Sequence, residues 1–330
     1  MLKLRYLYTN EDLAAMILCN WEFDEDSLEM FQYYRISSNA VYPFRREGAA
    51  QLLRFAPAAE KCKENIEAEL AFIAYLRAEG YGVMEAVKSK RGEELAEART
   101  PWGNYYASVF KHVPGVQIGR AELRDDIVFS YGQALGRLHK LSSQYEPAGS
   151  KRWSYEDVLM WIEEELANYP HETAALREAE RLRGYFAQVP KTVHTYGLIH
   201  YDFECDNVFY DEATGSCYAI DFDDSMYHWY AMDIVQALDS LKDCIAEESD
   251  EQKKQIFIEG YQTEFALTAE DEAILTACRR FASLYSFVRM LRSIAEQWEH
   301  EPEWMVRLRE RLSRRIAEKS SCFDMDVQVK

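Results

Sequence analysis

Apolar and polar positions along the chain change their period several times. Residues 10–20 carry apolar positions at helical spacing, with Asn10 placed to cap them and Glu11 and Asp12 in the first turn. Short aromatic and β-branched runs follow at 33–37 and 41–45, flanking the polar stretch S-S-N-A. Glu47-Gly48 marks a turn, and residues 50–55 read as a third strand that ends at Pro57. Residues 64–79 return to the helical period, with Ile66, Leu70, Ile73 and Leu76 on one face and Gly80 at the end. Strand-like runs at 83–88 and 105–113 are separated by turns at Arg91-Gly92 and Pro101-Trp102-Gly103.

Beyond Pro114-Gly115 the pattern turns mainly helical. Helices are predicted over 125–141, 155–169 and 171–186, the last two divided by Pro170. A short β region punctuated by Gly and Asp occupies 197–223. Helix resumes after Asp233, with breaks around 245–252 and 266–270 and a frayed tail from Asp324. The expected organisation is α+β in two domains: 1–113, β-rich with an N-terminal helix, and 114–330, mainly helical. A chain of 330 residues suits two lobes better than one small core.

Composition adds exclusions. With 48% apolar and 29% charged residues the chain is that of a folded globular protein. Lys and Arg total 38 against 57 Asp and Glu, a net charge of −19. That field repels nucleic acid and anionic membrane surfaces, so neither is expected as a partner, and it tolerates a metal ion or a cationic substrate. The seven Cys are scattered and never form C-x-x-C, which argues against a disulfide framework and a structural zinc. No apolar run reaches the ~18–20 residues of a membrane span, and the first residues lack a signal-peptide core. A cytoplasmic setting is expected. Rossmann, Walker-type and nucleophile-elbow motifs are absent.

The chemistry concentrates in residues 198–224, L-I-H-Y-D-F-E-C-D-N-V-F-Y-D-E-A-T-G-S-C-Y-A-I-D-F-D-D. Apolar runs at 198–199, 208–210 and 218–220 predict short buried strands that carry Asp202, Asn207 and Asp221 on the loops at their ends. Asp202, Glu204, Asp206, Asp221, Asp223 and Asp224 cluster there, and the sequence offers no Lys or Arg between Lys191 and Lys242. Carboxylates so crowded resist ionisation without a compensating cation. Hard oxygen ligands in small number suit Mg²⁺ with phosphate completing its shell.

H-Y-D-F-E-C-D-N resembles the H-x-D-x-x-x-x-N catalytic loop of the protein-kinase-like fold, in the form used by aminoglycoside phosphotransferases, choline kinases and homoserine kinases. Asp221-Phe222-Asp223, which begins 14 residues after Asn207, resembles their metal-binding I-D-F-D. The resemblance implies a small β-rich N-lobe, a larger helical C-lobe, and ATP with Mg²⁺ as cofactors. Asp202 would be the catalytic base or hydroxyl-positioning group, His200 a brace for the loop, Asn207 and Asp221 the metal ligands, and Asp223 a secondary metal or structural ligand. Phe110, Lys111, His112 and Val113 resemble the inter-lobe hinge whose backbone pairs with adenine. Arg54 stands where a strand residue contacts the phosphates, and Glu69 resembles its helix partner. Ser38 and Asn39 stand in the phosphate-covering turn. His139, after Gly136, would be a packing residue, and Asp233 an anchor at a helix start.

Two positions depart from the pattern: Arg54 replaces the Lys of protein kinases, and the turn at 37–42 has no glycine. The implied activity is transfer of phosphate from ATP to a hydroxyl of a small, amine-bearing molecule such as an aminoglycoside, an amino alcohol or a hydroxy amino acid. A protein Ser/Thr kinase and a non-catalytic nucleotide-binding scaffold are the alternatives. The sequence carries no sign of the acceptor's identity or of oligomeric state.

Overall fold

The computed structural model describes residues 1–244 and 250–323. The small lobe is built on an antiparallel sheet. Its strands are β1 (Arg35–Ile36), β2 (Ala40–Arg46), β3 (Ala49–Pro57), β4 (Ala86–Val87), β5 (Ala96–Thr100) and β6 (Gly103–Lys111), in the order β1-β2-β3-β6-β4, with β5 also on β6. The register pairs Val41 with Arg54 and Arg54 with Ser108. Alternation sends Tyr42, Phe44, Leu53, Phe55 and Val109 into a core closed by α1 (Glu11–Leu18) and Trp21. Asn10 caps α1 by accepting from Leu13 N–H at 2.9 Å, as its sequence predicts.

Helix α2 (Lys63–Ala78) buries Ile66, Leu70, Ile73 and Leu76, the expected face. That face joins a core shared with the large lobe, where Phe72 meets Phe222 edge to face at 6.0 Å. The lobes therefore share apolar packing as well as a hinge. At the hinge end, Gly115 has a φ of +93°, and a Cβ there would collide with the Tyr210 carbonyl.

In the large lobe, β7 (Val116–Gln117), β9 (Val208–Asp211) and β10 (Ser216–Ala219) form one sheet, and β8 (Tyr196–Ile199) pairs with β11 (Met226–Trp229). Around them pack α3 (Asp125–Ser142), α4 (Tyr155–Leu166), α5 (Thr173–Phe186), α6 (Ala231–Cys244), α7 (Asp250–Gln262), α8 (Ala269–Ser293) and α9 (Glu303–Phe323). No helix among the described residues is long and apolar enough to cross a membrane.

Some boundaries differ from expectation. The strand expected at 33–37 shortens to β1, because residues 25–33 wind into a 3-10 stretch. The run at 83–88 leaves only Ala86–Val87 in the sheet, while Val83 bridges to Ala219 of the other lobe. Strand β5 lies between the two expected turns, where no element was expected; of its A-E-A-R-T only Thr100 is a residue type that announces a strand. Helix α7 already covers residues 250–252, whereas the rest of the expected break, 245–249, and the expected tail from 324 lie outside the described residues.

Candidate active site

The segment after β8 is held open by its backbone contacts. Tyr201 sits at φ +65°, a left-handed conformation unfavourable for a bulky side chain. Asp233, buried in the first turn of α6, compensates. Its two oxygens accept from the N–H groups of His200 (2.8 Å) and Tyr201 (2.7 Å). Asp233 thus anchors the loop as expected, but by reaching across to it rather than by capping its own helix. His139 is fully buried and packs as expected, with Nε2 3.2 Å from Asp233 Oδ2 and Nδ1 2.9 Å from the Tyr261 hydroxyl.

His200 braces the loop from within. Its Nδ1 accepts from Asp202 N–H at 3.2 Å, and its Nε2 lies 2.9 Å from the Ile220 carbonyl. This pairing fixes a neutral ring with the proton on Nε2, and burial lowers its pKa in the same sense. The ring therefore couples the position of Asp202 to the residue before Asp221.

Asn207 Nδ2 donates to the Asp202 carbonyl at 3.0 Å and to Asp202 Oδ2 at 2.8 Å. The Asn207 carbonyl in turn accepts from Ile220 N–H at 2.9 Å. Asp221 follows at φ +64°, its carboxylate set deep between the lobes yet open to the cleft there, with Oδ1 3.9 Å from Arg54. Arg54 and Glu69 form the expected ion pair, fork to fork at 2.7 and 2.8 Å, with the guanidinium also 4.8 Å from the Phe110 ring.

A cleft between the lobes brings Asn39, Arg54, Phe110, Lys111, His112 and Val113 together with Asn207 and Asp221. Val41, Leu52, Met84, Phe209 and Ile220 supply its apolar walls, none of which the sequence singled out. Within the hinge, the N–H groups of Lys111 and His112 are spent on the carbonyls of Glu85 and Ala50. Ser38 does not line this cleft. It faces the other side, with Asp202, Asp224, Tyr285 and Arg289, in a second cleft of about 630 Å³. That second cleft is charged: Glu204, Asp239 and Asp243 line it with Asp202, and Arg279, Arg315 and Lys319 line it as well.

The electrostatics divide the acidic cluster in two. Asp223 accepts from Lys61 through both oxygens, at 2.8 and 2.6 Å, and Asp224 accepts from Arg289 at 2.6 Å. Burial raises both carboxyls, but these cations hold them below the usual range. Asp202 and Asp221 stand differently. Burial and then the charges of Asp224, Glu204 and Asp221 hold Asp202 well above that range. Burial and then Asp223 push Asp221 up to about 6, against Arg54. The count of local Lys and Arg thus missed Lys61, Arg152 and Arg289, which arrive from distant elements. Arg152 donates to the carbonyls of Asn65, Asp223 and Ser225.

No cluster of three or more His, Cys, Asp or Glu gathers as a metal cage among the described residues. What the site offers a divalent cation is the Asp221 carboxylate and the remaining oxygen of the Asn207 amide. These are hard donors at low count, suited to an ion whose shell is completed by phosphate. Burial and the neighbouring Asp223 raise the Asp221 carboxyl, and a cation held here would relieve both.

A family model described as "Phosphotransferase enzyme family" matches residues 36–273. An amicoumacin kinase of Bacillus subtilis (strain 168) is 22% identical over 238 residues, which is 70% of this chain and 68% of that protein. A solved structure of an amicoumacin kinase in complex with AMP-PNP, Ca²⁺ and Ami has a TM-score of 0.75 at 21% identity, over 96% of this chain and 95% of that one. The structure of a microcompartment-associated aminopropanol kinase has a TM-score of 0.69 at 20% identity, over 96% and 97%. These likenesses establish the two-lobed, protein-kinase-like fold.

Proposed function

The chain belongs to the phosphotransferase enzyme family, and from that premise we propose that it transfers the terminal phosphoryl group of ATP to a hydroxyl of a small, amine-bearing acceptor, with Mg²⁺ on the phosphates. One observation carries this reading. Asp202 lines the second cleft while Asn207 and Asp221 line the cleft at the hinge, and the Asn207–Asp202 hydrogen bond at 2.8 Å joins the two.

Each residue then has a task. Val41 and Leu52 from the small lobe and Phe209 and Ile220 from the large one would flank adenine, beside the hinge residues Phe110 to Val113. Asn39 of the turn and Arg54, held by Glu69, take the phosphates. Asn207 and Asp221 would hold the metal, which neutralises charge on the transferring phosphate when bound. Asp202 receives the acceptor hydroxyl and, late in transfer, its proton. Asp223, with both oxygens on Lys61, serves the loop's architecture. Burial, then the charges of Asp206 and Asp243, raise the Glu204 carboxyl, and Glu204 and Asp243, which both line the acceptor cleft, offer a seat for an ammonium group. Helices α6, α8 and α9 contribute residues to the acceptor cleft. Such walls favour a small acceptor over an extended protein segment.

The test is ADP release from Mg·ATP in the presence of a panel of amino alcohols, aminoglycosides and amicoumacin, followed by mass spectrometry of the acceptor. Acceptor-dependent ADP with a gain of one phosphoryl group is expected. Phosphate gained by added protein instead of by a small molecule, or nucleotide binding without transfer to any acceptor, overturns it.

A further inference from the structure

The turn over the phosphates lacks the glycines that usually let such a turn close, yet Ile36 and Ala40 pair as strand neighbours and Ser37 N–H donates to the Asn39 carbonyl at 3.0 Å. Ser38 is therefore the tip. Its hydroxyl points away from Asn39's cleft and accepts from Arg289 Nη2 at 3.0 Å. Arg289 lies near the end of α8, 251 residues away and in the other lobe. Its second arm, Nη1, donates to Asp224 Oδ2 at 2.6 Å. Asp224 closes the short 3-10 turn that begins one residue after Asp221. The guanidinium also rests over the Tyr285 ring, one turn back on α8, at 5.2 Å.

We propose that Arg289 is a positioning residue that holds the glycine-free phosphate turn closed over the nucleotide by tying Ser38 to Asp224. This rests on the phosphotransferase reading of the same site and goes beyond it. A planar guanidinium with divergent donors can satisfy two acceptors in fixed directions, which an ammonium cannot. With a side chain at every position the turn has little access to positive φ, so its closed geometry is held from outside, by the large lobe. Leu2 adds a second thread, since its N–H donates to the Ser37 carbonyl at 3.0 Å. Because both arms of Arg289 cross between the phosphate turn and the metal-side loop, the turn can open only if that bridge breaks. Ser38, Arg289 and Asp224 also line the acceptor cleft with Asp202, so closure of the turn and shaping of the acceptor site become one event.

The proposal is tested by a double-mutant cycle on AMP-PNP affinity, measured by calorimetry with Mg²⁺ and no acceptor. Ser38→Ala and Arg289→Ala are each expected to weaken binding about tenfold, as loss of a charge-assisted hydrogen bond does. The double variant should be no weaker than either single one. Arg289→Lys keeps the charge but not the two-armed bridge, and covers the case in which Arg289→Ala does not fold. It should melt close to the parent yet bind AMP-PNP as poorly as Ser38→Ala. Arg292→Ala, which removes a neighbouring contact with Glu60 (2.7 Å) without touching Ser38, should leave the cycle unchanged. Additive losses, or full affinity in both Arg289→Lys and Ser38→Ala, overturn the assignment. The cycle reads coupling even if the parent turns over no acceptor, so that failure would sink the phosphotransferase reading alone.

Discussion

Glu69 is fully buried and presents both carboxylate oxygens to the two terminal nitrogens of Arg54, at 2.7 and 2.8 Å. Burial alone would weaken Arg54's hold on its proton, but the attraction of Glu69 overrides it and raises the pKa further. The pair has directional rather than merely electrostatic content, because the fork must face Asp221 at 3.9 Å as well. Removing one partner leaves the other charged in a dry site. Glu69→Ala is therefore expected to destabilise the protein by about 3–5 kcal/mol, read from urea unfolding. Arg54→Lys keeps charge but loses one arm, and should raise the KM for ATP about tenfold with a smaller change in stability. An unchanged KM would remove Arg54 from the phosphate site.

The hydrogen-bonded loop around Asp202 was legible in the sequence because its contacts are local: His200, Asp202 and Asn207 lie within eight residues and bond to one another. The Arg54–Glu69 pair was readable for a related reason, since a charged residue in an apolar strand calls for a partner. The cations on Asp223 and Asp224 were not legible. Lys61 and Arg289 stand 162 and 65 residues from their carboxylates, and no linear charge pattern records a contact made by folding. The apolar walls of the nucleotide cleft were hidden for another reason. Val41, Leu52, Phe209 and Ile220 look like any residues of half-buried strands, and only the meeting of two lobes makes them a slot.

The Asp202 carboxylate does not line the hinge-side cleft and meets it through Asn207, so its loss should separate binding from turnover. Asp202→Asn is expected to lower kcat by about 10²–10⁴, the usual range for a positioned acid–base group. AMP-PNP affinity should change little. Turnover within threefold of the parent, measured by coupled ADP release at saturating acceptor, would rule out the role given to Asp202.

The pH dependence follows from Asp221, whose carboxyl is pushed up to about 6 by burial and by Asp223. A proton and a metal compete for the same oxygens, so metal affinity should fall as pH drops through about 6. At limiting Mg²⁺, kcat/KM for ATP should show an acid limb centred there, and saturating Mg²⁺ should move the limb to lower pH. For the metal-free protein the sign is opposite. A carboxyl with a raised folded pKa contributes stability that is present at low pH and lost as pH rises through about 6. Asp221→Asn should therefore melt higher than the parent at pH 7.5 without metal, with a gap that narrows as pH falls below 6 and closes only below about pH 4, under the ordinary carboxyl value. An acid limb indifferent to Mg²⁺ would contradict Asp221 as the ligand.

Asp233 tests whether the loop's strained backbone matters to chemistry. Its oxygens accept from two consecutive N–H groups and face His139, all within a fully buried setting. Asp233→Asn replaces one acceptor by an NH₂ group, which then meets a backbone donor head on. One buried N–H is left without a partner, at a cost of about 1–3 kcal/mol, and more because the lost acceptor was charged. Tyr201, at φ +65°, loses part of what holds it, and Asp202 follows next in the chain. The expected outcome is a lower melting temperature together with a fall in kcat, while the KM for ATP stays near the parent value, because Asp233 touches nothing in the nucleotide cleft. A variant that loses stability but keeps kcat would show that the loop finds the same geometry without this anchor.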